Sequence, residues 1–415
     1  MTMSAMPPQS PAPCGALLLG GAHCSLEIAR SLGRRGIPVW LVTDDNPLAT
    51  MSRYVTRSFC WGGPREASAL PFLCDLADKF GLGGWVLFAG GDAEVRFVAQ
   101  NHAALGARFT LTTPPWEALR LAYDKRRMNA RAAELGIAVP VTCYPRSRDE
   151  LAAEIEAGTL RFPVVLKPTV RDSRNAFVQA KAWRADDMRT LCARYDAAVA
   201  LVGTDSVMVQ ELIAGDGRTQ FSYAAVWDGG APVGALVARR GRQYPVDFGF
   251  TSSFVETIAQ PDVEAAACRF LRSLDYSGLV EIEFKYDARD ARYKILDVNT
   301  RAWTWIALGV AAGVDFADLQ WRLARGERLA PVAACRDASW RYLSRDLVAS
   351  AQEIFAGRLA PLDYLRSLRL SAASAVFAWD DPWPAALDLP LAAARVAKRR
   401  LSRRRREAAA SLQSA

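Results

Sequence analysis

An alternating pattern of charged and apolar residues marks two neighbouring strands in the C-terminal half of the chain. In residues 281–285, Glu-Ile-Glu-Phe-Lys, every second side chain is charged, which is typical of a half-buried strand. Residues 293–298 predict a second strand, and Asp-Ala-Arg-Asp at residues 287–290 predicts the turn between them. The pattern therefore predicts a β-hairpin that runs into Asp-Val-Asn-Thr-Arg at residues 297–301.

Side chains with oxygen atoms are brought together by this hairpin. If its strands pair antiparallel, Glu283 faces Asp297 and Asn299 across the ladder. Two carboxylates and an amide carbonyl suit Mg²⁺ or Mn²⁺ better than a soft metal. Arg301 would add positive charge beside a bound phosphate. Acidic residues that alternate along a strand are also typical of a solvated face, so the hairpin alone leaves both interpretations open.

The N-terminal part of the chain alternates short apolar runs with helical patterns. Strands are predicted over residues 16–19, 38–43 and 85–89, and a helix is predicted over residues 25–35. This alternation favours an α/β fold built on a small, open, parallel sheet. The turn at residues 20–24 contains two glycines but lacks the GxGxxG spacing, which favours a structural turn over a dinucleotide site.

Beyond residue 114 the pattern changes to α+β. A long helix is predicted over residues 116–135, and an apolar strand at residues 162–168 ends in Lys-Pro. Two further strands, at residues 222–227 and 233–240, resemble the arms of an antiparallel sheet. We divide the chain into a disordered N-terminus (1–13), an α/β domain (14–113), a domain of two subdomains (114–330), a helical C-terminal extension (331–384) and a basic tail (385–415).

Composition excludes several classes of protein. The 415 residues are 51% hydrophobic and 23% charged, which is typical of a soluble globular protein, and no apolar run reaches membrane-spanning length. The eight cysteines form no CxxC pair, and only two histidines are present, so we expect free thiols in a reducing cytoplasm. Much of the net charge of +8 lies in the tail, so a nucleic-acid partner is not expected.

The order of these signals resembles the ATP-grasp superfamily. Lys125 follows an aspartate on a helix, Lys167 ends an apolar strand, and Gln-Glu-Leu-Ile at residues 210–213 ends another strand before the hairpin. The resemblance runs from about residue 15 to about residue 330, and it is closest to the ATP-dependent carboligases, or carboxylate–amine ligases. It implies a pre-ATP-grasp sheet at the N-terminus and ATP bound between two α+β subdomains.

The resemblance implies an ATP site made of Lys125, Lys167, Gln210, Glu211, Ile213, Asp216 and Arg240. The two lysines would reach the phosphates, for which ammonium groups are suited as compact point charges. Residues 210–213 would read adenine, with the backbone of Ile213 taking part, and Asp216 would bind a ribose hydroxyl. A lysine at a strand end can also extend into solvent over apolar neighbours, and the arginines at 239 and 240 can be a solvated pair.

The same resemblance implies that Glu283, Asp297 and Asn299 hold two Mg²⁺ or Mn²⁺ ions, and that Arg301 stabilises the transferred phosphoryl group. A salt bridge to one of the ligands is the structural alternative for Arg301. The sequence departs from the family at two points. The loop at residues 169–175 has no glycine, and Asp297 stands where glutamate is commoner.

The implied activity joins a small-molecule carboxylate to an amine, or to a thiol, through an acyl-phosphate, in the cytoplasm. Two alternatives stay open, a catalytically weak ATP-binding sensor or scaffold and a carboxylase-like phosphorylation of bicarbonate. A homodimer is allowed, and the basic tail could touch an anionic membrane surface, although a solvated tail is favoured. Residues 303–305 and 242–250 could contact the acceptor, with core packing as the favoured alternative.

Overall fold

The computed structural model describes residues 14–20, 23–44, 46–170, 175–180, 182–246, 251–335, 337–368, 373–391 and 393. The predicted disorder of residues 1–13, the centre of the glycine-free loop at 171–174, part of the predicted acceptor loop at 247–250 and most of the basic tail lie outside the described residues.

The first sheet is parallel and open, as the sequence predicts. Its elements are β1 (Ala16–Leu19), α1 (His23–Arg34), β2 (Val39–Thr43), β3 (Val55–Cys60), α2 (Ala69–Phe80), β4 (Val86–Ala89), α3 (Asp92–Gln100), α4 (His102–Gly106) and β5 (Thr110–Leu111). The strand order is β3-β2-β1-β4-β5. Every residue of β1 is buried, with Leu17 and Leu19 in one core and Ala16 and Leu18 in the other, because helices and the neighbouring sheet cover both faces.

The predicted long helix is two helices, α5 (Trp116–Tyr123) and α6 (Lys125–Glu134). Asp124 has extended backbone angles and its carboxylate accepts hydrogen bonds from the backbone amides of Arg126 and Arg127. Such a capping residue begins a new helix instead of continuing the old one. Because the helix is interrupted at Asp124, Lys125 is the first residue of α6. Its backbone amide donates a hydrogen bond to the carbonyl of Thr169 at 3.1 Å.

A small four-stranded antiparallel sheet follows, in the order β6-β9-β7-β8. Its elements are β6 (Thr142–Cys143), α7 (Arg148–Glu156), β7 (Val164–Pro168), α8 (Ala176–Gln179), β8 (Trp183–Ala185), α9 (Met188–Val202) and β9 (Val207–Glu211). It has a core of its own, in which Leu151 of α7 and Leu191 of α9 pack against Leu166 and Val209 of the sheet.

The large sheet has eight strands, seven of them in the order β14-β13-β10-β11-β12-β16-β17, with β15 paired to β11. Its elements are β10 (Gln220–Asp228), β11 (Ala231–Tyr244), β12 (Thr251–Ile258), α10 (Pro261–Arg272), β13 (Gly278–Asp287), β14 (Arg292–Asn299), α11 (Ala307–Ala311), α12 (Phe316–Ala324), β15 (Val332–Ala333), β16 (Ser339–Arg341), α13 (Leu343–Phe355), α14 (Pro361–Leu368) and β17 (Ala373–Ser374). In the predicted hairpin, Glu283 pairs with Asp297 and Glu281 pairs with Asn299, which confirms the antiparallel register.

The C-terminal extension is not purely helical. It contains α13 and α14, but β16 pairs with β12, β17 pairs with β16, and β15 pairs with β11. These strands have only two or three residues each, too short for an alternating pattern to show in the sequence. The segment therefore completes the large sheet. The domain boundaries themselves stay predictions.

A buried ion pair ties this segment to the first sheet. Arg30 of α1 is 1% exposed and Asp381 is fully buried. The guanidinium donates to Asp381 Oδ2 at 2.9 Å and to the carbonyl of Val376 at 2.7 Å, while Asp381 also accepts from Ser52 Oγ and the amide of Arg53. Among the described residues, no helix is long and apolar enough to span a membrane.

We expect Asp381→Ala to lower the free energy of unfolding by about 3–5 kcal/mol, because the Arg30 charge would stay buried without its partner. The matched control is Asp380→Ala, since Asp380 forms an exposed pair with Arg34 at 2.8 Å and such pairs contribute about 0–1 kcal/mol. Denaturant unfolding of the two variants measures both values. Equal losses would show that the Arg30–Asp381 pair does not anchor the segment.

Candidate active site

A cleft of about 630 Å³ lies between the small sheet and the large sheet. The predicted residues that line it are Lys125, Lys167, Gln210, Glu211, Ile213, Asp216, Arg240, Glu283 and Asp297. Asn299 and Arg301 do not line the cleft itself but lie next to it, at the end of β14. Residues from α6, both sheets and the C-terminal segment meet there, although they are far apart in the chain.

The charged end of the cleft is formed by the hairpin and its neighbours. The Lys125 ammonium contacts Asp297 Oδ1, because the start of α6 packs against β14. Arg240 Nη2 lies 3.7 Å from Glu283 Oε1, and the amide of Gln220 donates to Glu283 Oε2 at 3.0 Å. Positive charge thus already lies against both predicted metal-binding carboxylates.

Glu281 is a second buried carboxylate that the sequence interpretation passed over in favour of Glu283. It accepts from Ser222 Oγ at 2.9 Å and from the Asn299 amide at 3.2 Å. Burial, followed by the neighbouring Glu283 charge, raises the pKa of Glu281 to about 7. The alternation in residues 281–285 could have found it, since Glu281 and Glu283 lie on the same face of the strand.

Arg301 connects the hairpin to the first sheet. Its guanidinium forms an ion pair with Asp92, the first residue of α3, and lies 3.4 Å from Asn299 Oδ1. The structural alternative predicted for Arg301 is a salt bridge to one of the metal ligands. The structure instead pairs Arg301 with Asp92 of the α/β domain. No sequence signal singled out Asp92, because the contact joins residues 209 positions apart.

Gln210 and Glu211, at the end of β9, have different partners. Gln210 accepts from the Lys167 ammonium at 2.8 Å and donates to Thr142 Oγ1 at 2.9 Å, so it orients Lys167. The Glu211 carboxylate accepts from Lys294 at 3.0 Å, from Arg289 at 2.6 Å and from a backbone amide of the neighbouring strand segment. Its side chain therefore links the small sheet to the hairpin and is not directed only at a ligand.

Another part of the cleft is lined by residues 213–216, which follow β9, and by Lys285. Ile213 is buried, and the Asp216 carboxylate accepts from the amide of Arg218, so it caps a short 3₁₀ turn. Lys285 donates to the carbonyls of Gly215 and Asp216 at 2.8 and 2.9 Å. Burial lowers the pKa of Lys285 to about 8. Lys285 was not predicted, although the strand alternation places it on the face of Glu283.

The C-terminal segment adds Glu353 and Arg358 to the cleft. Glu353 is 8% exposed, and its Oε2 atom has no hydrogen-bond partner in the described part of the chain. Burial raises the pKa of this carboxyl group above its usual value. No pattern in the sequence around Glu353 predicts a site residue there. Glu353 lies in the segment 331–384, which was predicted to be an extension outside the site.

Of the predicted acceptor contacts, Gln243 and Val246 line the cleft, whereas the two tryptophans and Arg242 have structural partners. Trp303 and Trp305 are 1% and 3% exposed and pack in the core, as the favoured alternative states. Arg242 forms a buried ion pair with Asp346 of α13 at 2.8 Å. Neither tryptophan nor Arg242 lines the cleft.

The donor set at the charged end fits a hard divalent cation. Glu283 and Asp297 occupy directly opposed positions, and Asn299 Nδ2 lies 3.5 Å from Glu283 Oε1, so two carboxylates and an amide group are available. The Lys125 ammonium beside Asp297 shows that this corner attracts positive charge. No group of three or more His, Cys, Asp or Glu residues arranged for metal binding occurs in the described ranges.

Comparison with known proteins agrees with this geometry. The family model for the ATP-binding domain of the carbamoyl-phosphate synthase large chain matches residues 252–332, which include the hairpin. The carbamoyl phosphate synthase large chain of Gemmatimonas aurantiaca is 25% identical over 268 residues, which make up 63% of this chain and 23% of that protein. The chain thus spans less than a quarter of that relative's length.

Two solved structures have similar folds. The biotin carboxylase domain of 2-oxoglutarate carboxylase from Hydrogenobacter thermophilus has a TM-score of 0.61 at 16% identity, with 79% of this chain and 74% of that chain covered. The L-amino acid ligase of Bacillus licheniformis has a TM-score of 0.58 at 14% identity, with 80% and 79% covered. The chain has the fold of these two structures. The predicted fold class, an ATP-grasp fold preceded by an open parallel sheet, is confirmed.

We expect Lys285, which lines the cleft, to make stability depend on pH. Because its folded-state pKa of about 8 lies below the ordinary value of 10.5, the unfolded state binds more protons between these two pH values. Stability contributed by this group therefore rises as the pH rises through that interval. The Lys285→Met variant should lack the rise, whereas Lys79→Met, at an exposed position, should keep it. Denaturant unfolding across the interval measures the difference, and parallel curves for the wild type and Lys285→Met would contradict it.

Proposed function

We propose that the protein is an ATP-dependent ligase that joins a small-molecule carboxylate to an amine through an acyl-phosphate. The observation that carries the proposal is one cleft lined both by three cations, Lys125, Lys167 and Arg240, and by the carboxylates of Glu283 and Asp297. Cations and oxygen donors in one site are what phosphoryl transfer requires, since the protein supplies mainly position and charge.

The polarity of the cleft suggests how ATP lies in it. The buried Ile213 and the backbone after β9 suit the adenine ring, which offers both a donor and an acceptor to main-chain groups. Lys125, which contacts Asp297 of the hairpin, and Lys167, which is held by Gln210, suit the phosphates. The nucleotide would therefore span from the small sheet to the charged face of the large sheet.

Glu283, Asp297 and Asn299 would hold the divalent cation, Mg²⁺ or Mn²⁺. A bound cation would neutralise phosphate charge at this position. Two ions are proposed on the resemblance alone. In the related carboxylase domain MgADP is bound, which supports this use of magnesium and nucleotide.

The proposed reaction has two steps. A carboxylate oxygen of the first substrate attacks the γ-phosphorus of ATP, the bond to the bridging oxygen breaks, and ADP leaves. The nitrogen of the amine then attacks the acyl carbon, inorganic phosphate leaves with the bonding electrons, and the nitrogen loses a proton. Arg301 would stabilise negative charge on the transferred group. Neither histidine lines the cleft, and no residue has to act as a covalent nucleophile.

A second candidate is phosphorylation of bicarbonate, as in a carboxylase. The observation that favours it is the similarity to a carboxylase domain whose structure contains a bicarbonate anion. The similarity to an L-amino acid ligase of nearly equal TM-score favours the amide-forming reaction. A sensor that binds ATP without turnover is the third outcome of the experiment below, and a homodimer stays a prediction.

The first experiment measures ADP and phosphate release from MgATP with a pooled panel of carboxylates and amines, and separately with bicarbonate. Release that needs one acid and one amine would support the ligase, and release with bicarbonate alone would support the carboxylase-like reaction. Nucleotide binding without release under every condition would support the sensor.

We expect Lys167→Ala, Asp297→Ala and Glu283→Gln each to lower kcat by about 10²-fold or more, because each removes a charge that faces the transferred phosphate or its cation. The matched control is Glu256→Gln, since Glu256 belongs to the same sheet but pairs with Arg239 outside the cleft. Steady-state ADP release measures all four variants. A Glu283→Gln variant with wild-type kcat would show that the metal assignment is wrong.

Glu353 is expected to bind ribose, because it lines the cleft together with Asp216, and its Oε2 has no hydrogen-bond partner in the described residues, so a ribose hydroxyl could donate to it. Replacing a charged acceptor of a hydroxyl weakens binding by about tenfold or more. Glu353→Gln should therefore lower ATP affinity more than 2′-deoxyATP affinity, and calorimetric titration with both nucleotides measures the ratio. An unchanged ratio would argue against a contact with the 2′-hydroxyl.

A further inference from the structure

The outer surface of α13 is apolar, whereas its charged side chains lie on the inner side or are half-buried. The helix packs on β11 and β12, where Asp346 is fully buried and Glu353 is 8% exposed. The guanidinium of the half-buried Arg345 lies 4.4 Å from the centre of the Tyr342 ring. The exposed residues of the helix carry no charge and are Leu343, Leu347, Val348, Ala351, Gln352 and Phe355. A surface helix normally has the opposite arrangement, so the outer surface of α13 is suited to an apolar partner.

The apolar side chains on this surface are large and strongly exposed. Phe355, the last residue of α13, is 92% exposed, Leu343 and Leu347 are 51% exposed, and Val348 is 44% exposed. Single exposed apolar residues are common on protein surfaces, but several on one face of a helix mark a binding surface. We call Leu343, Leu347, Val348, Ala351 and Phe355 the apolar face of α13.

The helix α14 is tied to α13 and exposes further leucines. Arg242 donates to Asp346 of α13 at 2.8 Å and to Ser367 of α14 at 3.2 Å, so one guanidinium joins the two helices. Leu362 and Leu365 of α14 are each 56% exposed. Together the exposed apolar side chains of both helices offer on the order of several hundred Å², a substantial part of the roughly 800 Å² that each partner of a stable dimer buries.

The spacing of the apolar face fits a second copy of the same helix. Residues 343, 347, 351 and 355 are four apart, so their side chains form a ridge along α13. A two-fold axis across the middle of this ridge sets Leu343 against the partner's Phe355. The same axis sets Leu347 against the partner's Ala351, so a large side chain meets a small one. The ridge is therefore complementary to itself about one centre, as a two-fold contact requires.

Charge also favours a second copy as the partner. The exposed residues of α13 are uncharged, so a contact between two copies brings no like charges together there. A two-fold axis makes the helices antiparallel, which places the amino end of one dipole beside the carboxyl end of the other. A lipid surface is a poorer partner, because helices that lie on lipid carry Lys and Arg beside their apolar face and α13 exposes neither.

We propose that the apolar face of α13 joins two copies of this chain in a two-fold dimer, with the exposed leucines of α14 at its margin. None of the residues of the apolar face lines the cleft, so the proposal does not depend on the proposed activity.

Sedimentation velocity of the full chain over a range of protein concentrations tests the dimer. We expect a monomer–dimer equilibrium that added sodium chloride does not weaken, because burial of apolar surface is not screened by salt. A monomer at every concentration, or a dimer that dissociates as the salt is raised, would overturn the proposal.

Variants locate the contact. Phe355→Glu and Leu347→Glu should each raise the dissociation constant of the dimer by about tenfold or more, because a carboxylate would be buried without a partner. Leu201→Glu is the matched control, since Leu201 is an exposed leucine at the end of α9 and its replacement should leave the equilibrium unchanged. Thermal unfolding of the three variants shows whether each keeps the fold.

A second substitution tests the two-fold register. Adding Ala351→Lys to Leu347→Glu should restore part of the lost affinity, because each new ammonium would face a carboxylate of the partner. Adding Leu343→Lys to Leu347→Glu gives the same net charge, but position 343 faces position 355 of the partner, so no recovery is expected. Equal recovery in both double variants would contradict the register, and wild-type association of Phe355→Glu and Leu347→Glu would remove α13 from the interface.

Discussion

Negative charge concentrated in one hairpin is the constraint around which the cleft is built. The antiparallel register of β13 and β14 places three carboxylates, those of Glu281, Glu283 and Asp297, within one small region. Buried like charges disfavour each other and the loss of water disfavours them further, so such a cluster requires positive partners. Lys125 and Arg240 provide that charge from α6 and β11, and each comes from a different part of the chain.

The same constraint explains why the α/β domain belongs to the site. Arg301 follows the hairpin directly, and its acidic partner Asp92 stands at the start of α3. An acidic residue is favoured in the first turn of a helix, where backbone amides lack partners. The pair therefore holds the first sheet beside the charged end of the cleft, where an acceptor substrate of the proposed reaction would have to approach.

Ion pairs also connect the small sheet to the large sheet, the two sheets that form the walls of the cleft. Glu211 at the end of β9 meets Lys294 of β14 and Arg289 of the hairpin turn, and Asp287 shares both cations. Because this network is partly buried, breaking one partner would leave another charge without compensation. The network holds the end of β9 against the hairpin, which gives Glu211 a positioning role that its predicted place in a nucleotide-binding segment did not suggest.

The sequence by itself determined the hairpin, the α/β start of the chain and Lys167 at the end of an apolar strand, because these patterns of apolar and polar residues are local properties. It did not determine the break at Asp124. An aspartate can lie inside a continuous helix, and only the packing of the folded chain makes Asp124 a cap that begins α6. Only the tertiary structure revealed Glu353, Lys285 and Asp92 as neighbours of the cleft. Their roles depend on burial and on partners far away in the chain, and neither can be predicted from the local pattern of residues.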